Sequence, residues 1–142
     1  MAAEIFTNAW AKAWAKQINA NANYKKTAAS WEGAMVLEMT ADPDWGIPED
    51  RAVIADLWHG ECRSAAAAKP KDIAAAPYVI RATPAVWNDV LAGDVDPIFG
   101  LMRGKLKLAK GGLFSLLPYA AAAKELVIAA REVDTSFPEG WK

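Results

Sequence analysis

At 142 residues, 54% hydrophobic and 23% charged, the chain has the composition of a folded globular protein and lacks the polar, highly charged signature of disorder. Its 16 basic residues against 17 acidic ones leave a formal net charge of -1, which gives no basic surplus for a nucleic acid. Cys62 is the single cysteine, so no internal disulfide can form and a cytoplasmic setting is the expectation.

Residues 1–142 are expected to form one domain, with a core over about 4–133 and an irregular tail over 134–142. Residues 1–6 do not read as a secretory signal, and no uninterrupted apolar run reaches the roughly 18 to 20 residues of a membrane span. From 4 to 23, Phe6, Trp10, Trp14 and Ile18 recur every fourth position opposite Lys12, Lys16 and Asn19, which predicts an amphipathic helix. Residues 31–40 change to a period of two, with Met35, Leu37 and Met39 on one face and Val36, Glu38 and Thr40 on the other. The breaker-rich stretch 42–48 leads to a second strand over 51–58, and His59-Gly60 makes the turn into a third over about 62–67. The alanine runs at 65–68 and 74–76 leave that third segment open between strand and helix.

Residues 78–82 read as a further strand. Thr83-Pro84 then caps a helix that stops at Gly93, and Asp96-Pro97 caps a short one through Ile98, Phe99 and Met102. Residues 105–110 alternate basic and apolar side chains as a last strand, and about 115–133 closes the chain as a long helix. The order of elements is that of an α+β domain whose helices cover one face of a mostly antiparallel sheet.

Recognisable reaction chemistry is missing from the sequence. His59-Gly60-Glu61-Cys62 resembles the start of a zinc deaminase signature, but that site needs further cysteine ligands, so no metal is expected. The stretch 100–106 is not a phosphate loop, because the glycine spacing is short and Leu106 stands where Ser or Thr must hold magnesium. No catalytic residue and no cofactor follow from the pattern.

What the chain does carry is apolar bulk: seven tryptophans and four methionines, the latter suited to irregular space. Trp87-Asn88-Asp89-Val90-Leu91-Ala92-Gly93-Asp94, a short helix, and then Gly104-Lys105-Leu106-Lys107-Leu108 resemble the C-terminal half of sterol carrier protein 2 domains. The likeness in layout runs over about 4–133 and its specific part is 87–111. Lys110-Gly111-Gly112, the loop around Trp45 and the tail depart from the commonest pattern of that family.

The resemblance implies a five-stranded sheet with helices over it. It also implies an apolar tunnel for a fatty acid, fatty acyl-CoA or sterol-like lipid, held for transfer or presentation without chemistry. The lining expected on that basis is Met35, Leu37, Met39, Trp87, Leu91, Phe99, Met102, Leu116, Leu117 and Leu126. Arg103 and Lys105 are candidates for a headgroup or phosphate. The partners expected are the lipid and a transient membrane or lipid-enzyme contact. Two alternatives stay open: an enzyme on a steroid or acyl-CoA using Glu38 or Tyr119, and an interaction module whose interior is filled.

Overall fold

A computed structural model describes residues 2–142. The chain begins with a two-residue strand, β1 (Ala3–Glu4), and turns through Phe6 into helix α1 (Asn8–Ala20). The Thr7 hydroxyl caps α1 by accepting from the Trp10 amide, and Trp10, Ala11, Trp14 and Ile18 face inward as the periodicity requires. The predicted helix over 4–23 is shorter than expected and is divided. Asn21 leaves helical geometry, closes α1 onto the Ile18 carbonyl, and uses its side chain to cap α2 (Ala22–Thr27). An Asn inside a periodic stretch is a cap signal that the apolar period alone overrides.

Strands β2 (Glu32–Met39), β3 (Arg51–Trp58) and β4 (Glu61–Ala67) form the antiparallel meander. The turn between β3 and β4 uses positive φ at both His59 (49°) and Gly60 (82°), the two-residue geometry that matches strand twist. The segment left open between strand and helix is a strand, because its pairing with β3 from Val53 to Trp58 outweighs alanine's helix propensity. The helix-forming tendency is realised just beyond it, in α3 (Pro70–Ala75).

Next come β5 (Tyr78–Ala82), α4 (Pro84–Ala92), α5 (Pro97–Met102) and β6 (Lys107–Lys110). The last strand is two residues shorter than the predicted 105–110, since Lys105 and Leu106 bond back to the Gly100 carbonyl. The five strands lie in the order β4-β3-β2-β5-β6, and every pairing is antiparallel except β2 with β5. The sheet is therefore mixed, with one parallel pair made by the crossover through β3, β4 and α3.

The predicted closing helix is broken. It comprises α6 (Leu113–Leu116), a 3-10 turn at Leu117–Tyr119 holding Pro118, and α7 (Ala120–Arg131). By length and composition alone Leu113–Arg131 passes as apolar enough to cross a membrane, although Lys124 and Glu125 interrupt the run as the sequence expectation has it, and 22% of its 18-residue window is buried. The tail is pinned at both ends: β7 (Thr135–Ser136) pairs in parallel with β1, while Trp141 packs on Trp45 and Phe137 and donates to Asn88.

Residues Met35, Leu37 and Met39 face the helix layer, as their spacing predicts. On the other face, Val36, Val79 and Ala76 form a small cluster under α3, and Glu38 pairs with Arg81 across β2 and β5.

Candidate functional site

Leu37 marks the site. It sits on the middle strand and points at the helices, yet it keeps solvent-accessible surface while its neighbours Met35 and Met39 are buried. The space above it is a cavity between sheet and helices. Its volume is ≈ 870 Å³ including the open end, or ≈ 80 Å³ when only positions open to the centre of a water molecule are counted. One water needs about 10 to 15 Å³ on that second measure, so the space is larger than a packing defect.

The floor is Met35 and Leu37 of β2, Leu57 of β3 and Ile80 of β5. One end is aromatic. Phe6 lies 5.1 Å from Trp10 and 5.4 Å from Trp87 between ring centroids, and Trp10 lies 5.4 Å from Trp14. Phe6 holds a positive φ of 57°, an uncommon backbone for an aromatic residue, fixed here by those two rings and by Arg51 donating to the Ile5 carbonyl. The roof is formed by Val90 and Leu91 of α4, Ile98 and Leu101 of α5, Leu116 of α6, and Ala122, Ala123, Leu126 and Val127 of α7. Leu106 fills in beneath α5 because Gly100 is a glycine: a β-carbon there would come within 2.4 Å of the leucine side chain.

All four tryptophans on the lining spend their indole N–H on the protein. Trp10 donates to Thr135 Oγ1, Trp14 to the Leu126 carbonyl, Trp31 to the Gly33 carbonyl and Trp87 to the Glu38 carbonyl, at 2.9 to 3.0 Å. The polar side-chain groups left on the lining are the hydroxyls of Tyr24 and Tyr119. Burial, and secondarily the nearby Cys62, holds the Tyr24 hydroxyl above its usual 10.0, so it stays neutral. The Tyr119 hydroxyl is 2.8 Å from Ser30 Oγ, toward solvent. Among the described residues no group of His, Cys, Asp and Glu is arranged to hold a metal.

Of the ten residues expected on the lining, Met35, Leu37, Trp87, Leu91, Leu116 and Leu126 are brought together on it. The structure places the other four off the lining. Met39 is fully buried in the core beyond the cavity, and Leu117 packs against the core from the 3-10 turn. Phe99 and Met102 are 59% and 55% exposed, because α5 turns Ile98 and Leu101 toward the chamber instead. In a six-residue helix with apolar residues all round, spacing cannot choose the inner face. Arg103 and Lys105 are exposed and outside the lining. Glu38 is excluded from the cavity by strand alternation, whereas Tyr119 is on it. Sequence reasoning passed over Phe6, Trp10 and Trp14 as lining, although their four-residue spacing was the available signal.

This geometry defines a class: an α+β protein that keeps an apolar chamber between a mixed sheet and its helices. No family model matches the chain, and no curated protein matches it in sequence. Solved structures do. A crystal structure of sterol carrier protein 2 is 46% identical, with a TM-score of 0.82, covering 92% of this chain and 99% of that one. A protein of Thermus thermophilus, described as possibly a sterol carrier protein, is 45% identical with a TM-score of 0.84, covering 96% and 94%. Sterol carrier protein 2 of Yarrowia lipolytica, in its apo form, shares the fold at 15% identity, with a TM-score of 0.56 over 84% and 88%. The chain belongs to the sterol carrier protein 2 family.

Proposed function

We propose that this protein is a cytoplasmic, non-catalytic carrier that holds the apolar body of a lipid in the chamber and transfers or presents it. The observation that carries this reading is the lining: apolar on every wall, with its indole donors already used and, among the described residues, with two tyrosine hydroxyls as its remaining polar side-chain groups. Such a wall recognises hydrocarbon and supplies no carboxylate, imidazole or amine to a reaction. A chain of about 12 to 16 methylenes gains roughly 10 to 13 kcal/mol on leaving water at about 0.8 kcal/mol each, against an association cost of roughly 4 to 15 kcal/mol. Useful affinity therefore needs most of the chain inside.

Tyr119 and Ser30 suit the polar end of a fatty acid or a sterol-like hydroxyl, since their hydroxyls lie at the rim and can donate or accept. Arg103 and Lys105, exposed at the end of α5, are available to the phosphates of an acyl-CoA outside the chamber. The test is native mass spectrometry of freshly purified protein followed by denaturing extraction. A fatty acid, acyl-CoA or sterol travelling with the chain is the expected result, and its mass names the class. An apo protein that also refuses all three when they are added overturns the reading.

A further inference from the structure

Of the three tyrosines, Tyr78 and Tyr119 are half-buried, while Tyr24 is 1% exposed and stands on the chamber wall. The Asn21 side chain accepts from the Tyr24 amide at 2.9 Å and donates to Glu125 of α7 at 3.1 Å, so α2 is fixed against a helix that roofs the chamber. The Tyr24 carbonyl takes the Ala28 amide. Its hydroxyl makes no hydrogen bond among the described residues, and the nearby Cys62 thiol is already donated to the Ser64 carbonyl at 3.3 Å.

A buried phenol normally finds a partner. Among the described residues, no side-chain oxygen or nitrogen that is sealed from solvent lacks one. The Tyr24 hydroxyl is therefore open to free space, and the space that Tyr24 lines is the chamber. The other polar points of the lining are spent or at the edge: the four indoles donate within the protein, and the Tyr119 hydroxyl meets Ser30 at the rim. Tyr24 thus gives an otherwise hydrocarbon interior one hydrogen-bonding point.

Charge decides what that point can hold. Among the described residues no Lys, Arg or His lines the chamber, so a carboxylate brought to Tyr24 would lose its hydration without a counter-ion, which one phenol does not replace. An uncharged oxygen loses far less hydration, and the phenol returns a hydrogen bond. Burial, and secondarily Cys62, hold the phenol above its usual 10.0 and therefore neutral, able to donate to a ketone and to donate to or accept from a hydroxyl.

We propose that Tyr24 is an inner hydrogen-bonding subsite of the chamber, and that it selects an uncharged lipid with a hydroxyl or ketone oxygen, bound with that oxygen inside and its hydrocarbon along the aliphatic walls. This rests on the lipid-carrier reading and narrows it. A fatty acid keeps its carboxylate at the rim beside Tyr119 and Ser30, whereas the uncharged lipid turns its oxygen inward.

The test is displacement of one fluorescent lipid probe by hexadecanol and by palmitate, equal in chain length, from the wild type and from Tyr24→Phe, with thermal melting of both proteins free of ligand. The wild type is displaced by both lipids. Tyr24→Phe shifts the ratio of the two affinities about threefold to tenfold toward palmitate, the worth of one neutral hydrogen bond. Its ligand-free melting temperature holds or rises, because the hydroxyl has no partner in the fold to lose. A ratio that stays within about twofold of wild type, or a variant that melts several degrees lower, overturns the subsite and leaves the carrier reading standing. A wild type displaced by neither lipid overturns the carrier reading and the subsite with it.

Discussion

Leu37→Phe separates a ligand chamber from a loosely packed core. The residue lies mid-sheet with its side chain toward the open space, so the larger ring enters volume that a ligand would occupy. Phe has about three more side-chain carbons than Leu and displaces roughly as many ligand methylenes. At about 0.8 kcal/mol each the loss is about 2.4 kcal/mol, or close to 50-fold in Kd. The ring also gains contacts where there were none, so folding stability should hold or rise slightly. Four tryptophans stand on the lining, which makes quenching of their emission by a brominated fatty acid a direct assay. Urea denaturation of the same samples supplies the stability. If the space closes in solution, the same substitution overpacks a filled core, which costs about 1 to 3 kcal/mol. A variant that is destabilised by that much, or that binds the fatty acid as tightly as wild type, refutes the chamber.

Trp87→Phe should lower stability by about 1 to 3 kcal/mol in urea, because it leaves the buried Glu38 carbonyl without its 3.0 Å donor. Arg81→Ala should cost about 2 kcal/mol, since Glu38 is only 7% exposed and loses its ion-pair partner. Glu38→Gln in the same background should restore part of that, as a double-mutant cycle in urea will read. Burial, with the Asp56 carboxylate adding to it, pushes the Cys62 thiol from 9.0 up to about 11. The unfolded chain ionises that thiol first, so stability is full below pH 9 and falls as the pH rises toward about 11. Cys62→Ala should remove that part of the slope in urea midpoints measured across the window, and Tyr24, also raised, acts in the same sense above pH 10.

Much of the sheet was legible because alternation states its own faces: Met35, Leu37 and Met39 could only share one side. The helix caps at Thr83-Pro84 and Asp96-Pro97 were equally readable, because each carries its chemistry in two residues. What could not be read were features decided at long range. The parallel pairing of β2 with β5 leaves no trace in either strand, and Leu126 offers its carbonyl to Trp14 from 112 residues away. Leu106 packs against Gly100 under α5, a contact that no local period encodes. Of the chamber's wall, Met35 and Leu37 on the floor and Trp87 and Leu91 on α4 were named from the sequence, whereas Leu57, Ile80 and the aromatic side chains of Phe6, Trp10 and Trp14 were not.

The parallel pairing of β1 with β7 ties residues 3 and 4 to residues 135 and 136. Tension applied at the two ends would pull these strands in opposite directions along their length. The bonds from the Ala3 amide to Asp134 and from the Ile5 amide to Ser136 would therefore be loaded together in shear and could not open one after another. Under such a load the joined strands would act as a mechanical clamp between the ends and the chamber. A force-extension experiment would show it as a resistance lost when Ile5 is replaced by proline, which removes one of the two amides.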